Sequence, residues 1–261
     1  MSPFMRVPAE TIPAPPFPRP ALWANVAMLR MDQQKGRPVL IEFWDFANPA
    51  SVRSLEYLKA WDARYGEAGL RVVGVHWPAS DLSRGYERVG AAIKRLGVTF
   101  PVLIDDQGAY RDEFETPGWP ARYLFDGTSW LVHYEHGEGG YRETEEAILE
   151  LLGSDAEPLA PLRPLDDDDA LLAMPTPDQP GAWSGTYTAG EVWAVLEPGP
   201  DGPGSLVVDG ETVVVDHPGA YRLVAHEVST TAELVLEPGD GTVVHGVSFA
   251  PGLAPGGSGA A

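Results

Sequence analysis

The sequence predicts an α/β domain followed by a small all-β sandwich or jelly roll. Strand and helix patterns alternate through residues 38–153. From Trp183 onward, short runs of alternating polarity are punctuated by Gly, Pro and Asp. Within that second region Asp209–Gly210 separates two valine-rich runs, which is a hairpin signal. The expected organisation is a Pro-rich lead over 1–35, the α/β domain over 36–153 and a Pro/Asp-rich linker over 154–182. A β domain over 183–253 and a flexible tail over 254–261 complete it.

Each element has a local reason. Val39–Trp44 is a short apolar run suited to a buried strand. Asn48–Pro49 is a helix start, with Asn as N-cap and Pro at the first helical position. Val52, Leu55, Leu58, Trp61 and Tyr65 then follow at helical spacing. Leu70–His76 reads as a strand, Tyr86–Leu96 as a helix and Pro101–Asp105 as a strand. Ala121–Phe125 and Trp130–Tyr134 are strands about a turn at Asp126–Gly127. Arg142–Leu152 is a helix stopped by Gly153. Residues 154–180, with many prolines and the run Asp166–Asp169, have no sustained period and read as a linker or an irregular wrapping segment. Val192–Leu196, Ser205–Asp209, Thr212–Asp216, Tyr221–His226, Ala232–Glu237 and Val243–Phe249 are the strands of the β domain.

Composition excludes several functions. A net charge of −20 argues against nucleic acid and against anionic membrane surfaces, both of which need a basic face. With no cysteine in the chain, disulfides, thiolate metal sites and thiol catalysis are ruled out. The first twenty residues carry five prolines from Pro13 on and no apolar core of signal-peptide length, and no stretch approaches a membrane span. A cytoplasmic location is the expectation.

Four motifs occur in an informative order. VLIEFWDFANPAS (39–51) resembles the strand–loop–helix entry of the thioredoxin-like family, in which two cysteines flank the helix start. GLRVVGVHWP (69–78) resembles the next strand of TlpA-like redoxins, and GWPARYLFDG (118–127) resembles their cis-proline segment. GEGGYRETEEAILELL (137–152) resembles the terminal turn and helix of the branch related to cytochrome-biogenesis fusion proteins, in which a β-rich domain can follow. The resemblance implies a central mixed sheet with flanking helices. It places the family cysteines on Asn48 and Ser51, the buried acid on Glu42 and the cis-proline on Pro120.

The family's chemistry needs a thiolate favoured by a helix N-terminus and a second thiol to resolve the mixed disulfide. Asn48 cannot ionise and Ser51 is far too weak an acid, so the expected state is redox-inactive, with no catalytic residue and no cofactor. As a serine nucleophile Ser51 would need a base, for which His76 is the nearby candidate, but no oxyanion-hole motif accompanies them. Glu42 is either a retained proton shuttle or a buried acid with a local partner. Trp44, Phe46, Trp77 and Trp119 lie toward the strand ends where open α/β sheets bind ligands, and Trp77 and Trp119 are weighed as a binding rim against core packing. His133 and His136 share a strand three residues apart and so point to opposite faces, which argues against a metal.

Three functions follow. The first is a non-catalytic protein whose groove, formed by Trp44, Phe46, Asn48, Ser51, His76, Trp77, Trp119 and Pro120, binds a peptide or protein partner by β-augmentation. The second is a redoxin relative using Glu42, Ser51 or His76 in non-thiol chemistry. The third is carbohydrate binding by the sandwich, weakened because after residue 193 only Tyr221 and Phe249 are aromatic.

Overall fold

The computed structural model describes residues 11–167 and 169–255. The tail residues 256–261 and Asp168 of the acidic run lie outside the described residues. Contacts divide the chain into two compact units, one holding residues up to Phe46 and from Ala50 to Leu162, the other the rest.

The first unit contains, in order, β1 (Leu22–Ala24), β2 (Val39–Trp44), α1 (Pro49–Tyr65), β3 (Arg71–His76), α2 (Tyr86–Arg95) and β4 (Val102–Ile104). It continues with α3 (Ala109–Phe114), β5 (Ala121–Phe125), β6 (Leu131–His136) and α4 (Tyr141–Leu152). One sheet runs β1-β4-β3-β2-β5-β6, with β2, β3 and β4 parallel and β1, β5 and β6 completing antiparallel pairs. All six β2 residues are buried because both sheet faces are covered, which is why the strand reads as a continuous apolar run.

Alternation along the strands sorts the two faces. Val39, Ile41, Phe43, Val73, Val75, Leu103, Ala121 and Tyr123 pack with Phe17, Trp23, Met31 and Tyr110. Glu42 and Arg122 point the other way, toward Ser54 of α1 and Tyr141 of α4.

The stretch read as a lead is therefore structural from residue 11 on. Phe17, Trp23 and Met31 sit in the core, and β1 forms the sheet edge on β4. Asn25, at φ 64, donates through Nδ2 to Val98 O (3.0 Å) and Phe100 O (2.8 Å). Residues 154–162 also lie against this unit: Leu162 N donates to Tyr57 OH (3.0 Å) and Leu159 N to Glu145 Oε1 (3.0 Å). The linker alternative thus gives way, over these residues, to a wrapping segment. β6 begins one residue later than the sequence pattern and runs two further, and α3 is too short to leave a period.

The second unit holds β7 (Leu172–Ala173), β8 (Gln179–Pro180), β9 (Gly185–Glu197), β10 (Gly204–Val208) and β11 (Glu211–Val215). β12 (Gly219–Leu234), β13 (Leu236–Pro238), β14 (Val243–Ala250) and β15 (Gly252–Leu253) follow. A four-stranded sheet, β12-β9-β14-β8, and a three-stranded sheet, β11-β10-β13, share one core of Tyr187, Val192, Leu206, Val215, Leu234, Val247 and Phe249. That is sandwich packing. Asp209 (φ 51) and Gly210 (φ 87) make the β10–β11 turn, which needs positive φ at both central residues. Two runs read as separate strands, Tyr221–His226 and the start of Ala232–Glu237, are one long β12. The pairing irregularity between Ala225 and Thr230 interrupts its alternation. Among the described residues no helix is long and apolar enough to cross a membrane.

Candidate functional site

The end of β2, the loop after it and the start of α1 form the segment in which the resemblance places a thiol pair. Pro49 opens α1, so Asn48 stands just before the first helical residue; it is half-buried. Ser51, in the first turn, is fully buried. With no cysteine in the chain, neither position offers a thiol.

Glu42 lies at the middle of β2 and is fully buried. The Ser54 hydroxyl donates to its Oε1, and Arg122, its cross-strand neighbour on β5, brings Nε to 3.7 Å from Oε2. Arg122 is itself enclosed: its Nη2 donates to Gly139 O and its guanidinium lies 4.1 Å from the Tyr141 ring centroid. Loss of solvation dominates and pushes the Glu42 carboxyl up to about 7, against the opposing pull of Arg122 and Ser54. The acid has local partners, and no thiol is present for it to serve.

His76 ends β3 and is fully buried. The edge of Trp44 meets it at 5.1 Å and Phe46 stacks on it at 5.3 Å. Its Nε2 is 3.6 Å from Asp45 Oδ1, and among the described residues neither ring nitrogen has a hydrogen-bond partner. It therefore does not activate Ser51. Asp45 Oδ2 accepts from Ala79 N (2.7 Å) and Ser83 Oγ (2.9 Å).

Of the residues expected at a binding rim, Trp44, Phe46, Ser51 and His76 are instead core. Strands covered on both faces bury every side chain whichever way it points. Enclosure of Glu42, Ser51 and His76 also leaves the reading of non-thiol chemistry without an accessible group.

Trp77 and Trp119 differ: both are half-buried, and their rings stack with centroids 4.1 Å apart and planes 28° apart. Trp119 Nε1 donates to Trp77 O (2.8 Å), which fixes the two segments together. The Arg111 guanidinium sits 4.5 Å from the Trp77 centroid. Arg111 is held there because Asp105 Oδ2 accepts from its backbone N–H (2.8 Å) while both Asp105 oxygens accept from Tyr110 N. Gly108 (φ 71) lies close against this pair, since a Cβ there would come within 3.3 Å of Trp77 Nε1. Pro120 follows through a cis bond and is buried. Asp45, Asp105 and Arg111 escaped sequence reading, as single charged residues in short loops and a six-residue helix carry no periodic signal.

The remaining candidates are occupied by packing. His133 Nε2 is 3.1 Å from Thr144 Oγ1, and His136 Nε2 is 2.9 Å from Tyr123 OH. Burial lowers the His133 pKa to about 4. Among the described residues no three His, Cys, Asp or Glu side chains cluster as a metal site. In the second unit Tyr187, Trp193 and Phe249 are buried, while Trp183 and Tyr221 are half-buried and pack on its core.

Comparison with known proteins places this geometry. The chain is 33% identical over 124 residues to Protein DipZ of Mycobacterium tuberculosis (strain CDC 1551 / Oshkosh), covering 48% of this chain and 18% of that one. It is 26% identical over 140 residues to the thiol-disulfide oxidoreductase YkuV of Bacillus subtilis (strain 168), covering 54% of this chain and 94% of YkuV. The chain thus spans less than a fifth of the length of DipZ but nearly all of YkuV. The crystal structure of a thioredoxin-like superfamily protein matches with a TM-score of 0.51 at 22% identity, over 57% of this chain and 100% of that one, which is a likeness of fold. No protein-family model matches the chain.

Proposed function

Because the first unit is a thioredoxin-like redoxin domain in a chain without cysteine, we propose that it binds a peptide or partner protein instead of exchanging disulfides. The observation that carries this reading is the half-buried Trp77–Trp119 stack next to Pro120. Its apolar faces suit an extended segment whose backbone pairs with the chain ahead of β5, a mode that requires no thiol. Large rigid aromatics are also the side chains that dominate binding energy where they are partly exposed and held in place. Here Trp119 Nε1 and Arg111 do the holding.

A photo-crosslinking residue placed at Gly118 tests this in the source cells. The expected result is a discrete polypeptide adduct whose yield falls about ten-fold when Trp77 and Trp119 are both changed to Ala, as for an aromatic hot spot. Absence of any adduct, or an adduct indifferent to both tryptophans, would overturn the reading.

A further inference from the structure

A groove of about 560 Å³ opens on the first unit between β1 and α2, lined by Trp23, Asn25, Tyr86, Gly90, Ile93 and Lys94 among others. It uses none of the residues of the former redox end. Trp23 and Ile93 are buried, and Tyr86 is half exposed. Gly90 is the unusual component. Glycine inside a helix is unfavourable relative to alanine, yet a Cβ built there meets nothing within 4 Å, and its φ is not left-handed. Neither packing nor backbone conformation demands glycine. Its effect is to leave the middle of α2 low, so the groove stays open along the helix.

Of the residues that line the groove Lys94 alone is charged, and it is a cation in a chain of net charge −20. Lys94 is exposed and makes no ion pair among the described residues. Screening limits each charge to roughly 8 Å at physiological ionic strength, so a ligand in the groove meets Lys94 more than the distant acids.

We propose that this groove binds a short segment of a partner protein carrying apolar anchors and acidic side chains. An apolar side chain fills the space over Gly90 and Ile93, beside Tyr86 and Trp23, and a carboxylate pairs with Lys94.

The test is to pan a displayed library of random peptides on the full chain and measure one enriched peptide by titration. Enrichment of Asp or Glu together with Leu, Phe or Trp is expected. Binding of that peptide should fall about ten-fold in Lys94→Glu and in Gly90→Phe, and should weaken as salt is raised. Gly90→Phe is checked by circular dichroism, and Lys94→Glu, at an exposed position, carries the test if the first variant does not fold. The proposal is overturned by no enrichment, by enriched peptides without acids, or by equal binding to wild type and Lys94→Glu. A dimer that Gly90→Phe dissociates would overturn it too, by assigning the groove to a second copy.

Discussion

Glu42 lies in β2 and Trp77 directly follows β3, the strand paired with it, yet one is sealed and the other is half exposed. Around Glu42 the polar groups are part of the interior: Ser54 and Arg122 partner the acid, and His76 is wedged between Trp44 and Phe46. Around Trp77 the rings are locked to each other and to Arg111 but keep surface available. The difference teaches that a thioredoxin-like fold without cysteine can enclose one half of the segment around its helix start and leave the other half at the surface. The interior polar groups contribute to the fold, and the rim groups leave aromatic surface exposed.

If the interior half is structural, disturbing it should change stability strongly. Arg122→Met removes the guanidinium that faces Glu42 and leaves a buried acid uncompensated. Where Glu42 is ionised, above its folded value of about 7, breaking such a pair costs about 3–5 kcal/mol. Chemical denaturation should show that loss, and the double variant Arg122→Met, Glu42→Gln should recover much of it. A loss below about 1 kcal/mol would mean that the pair is not part of what holds the unit together.

The pH dependence sharpens the same point. Glu42 titrates at about 7 when folded against an ordinary value of 4.5, so the native state holds its proton more tightly. Its contribution to stability is therefore most favourable below pH 4.5 and falls as pH rises through 7, by about 3 kcal/mol in all. His133 is displaced the other way, to about 4 from 6.5, so its contribution rises over the overlapping window from pH 4 to 6.5. The two nearly cancel in the wild type, and only variants separate them. Stability of Glu42→Gln minus that of the wild type should increase from pH 4.5 to 7, and His133→Gln minus wild type should decrease from pH 4 to 6.5. Flat differences would show that these groups sit in environments less dry than the structure indicates.

A smaller effect tests whether the helix start still favours a thiolate. In Asn48→Cys with Ser51→Cys, the thiol at position 48 precedes a helix of 17 residues and should titrate below the free value of about 8.5. Alkylation rate against pH measures it. A value at or above about 8.5 would mean that the electrostatics of this end have drifted along with the sulfurs.

Much of the fold was legible because some signals are local. Val39–Trp44 is a continuous apolar run, Asn48–Pro49 starts a helix, and Asp209–Gly210 supplies the two positive φ angles its turn requires. What was not legible depended on distant neighbours. Phe17, Trp23 and Met31 are separated by prolines and polar residues with no period, and they are buried only because one sheet face needs covering. The site divides in the same way. Sequence placed Trp44, Phe46, Trp77 and Trp119 together near the strand ends. Which of them reach solvent was fixed by layers that periodicity does not encode, since β2 and β3 are covered on both sides. Arg111 reaches Trp77 only because Asp105 anchors α3, a contact without any sequence period.

The most direct test of the division between a structural interior and a binding rim is the dissociation constant of the polypeptide crosslinked at Gly118, measured for Glu42→Gln and for Trp119→Ala. Trp119→Ala should weaken binding about ten-fold or more, as expected for a rigid aromatic anchor, while Glu42→Gln leaves it within about two-fold. Binding that survives Trp119→Ala but is lost in a folded Glu42→Gln variant would contradict the account.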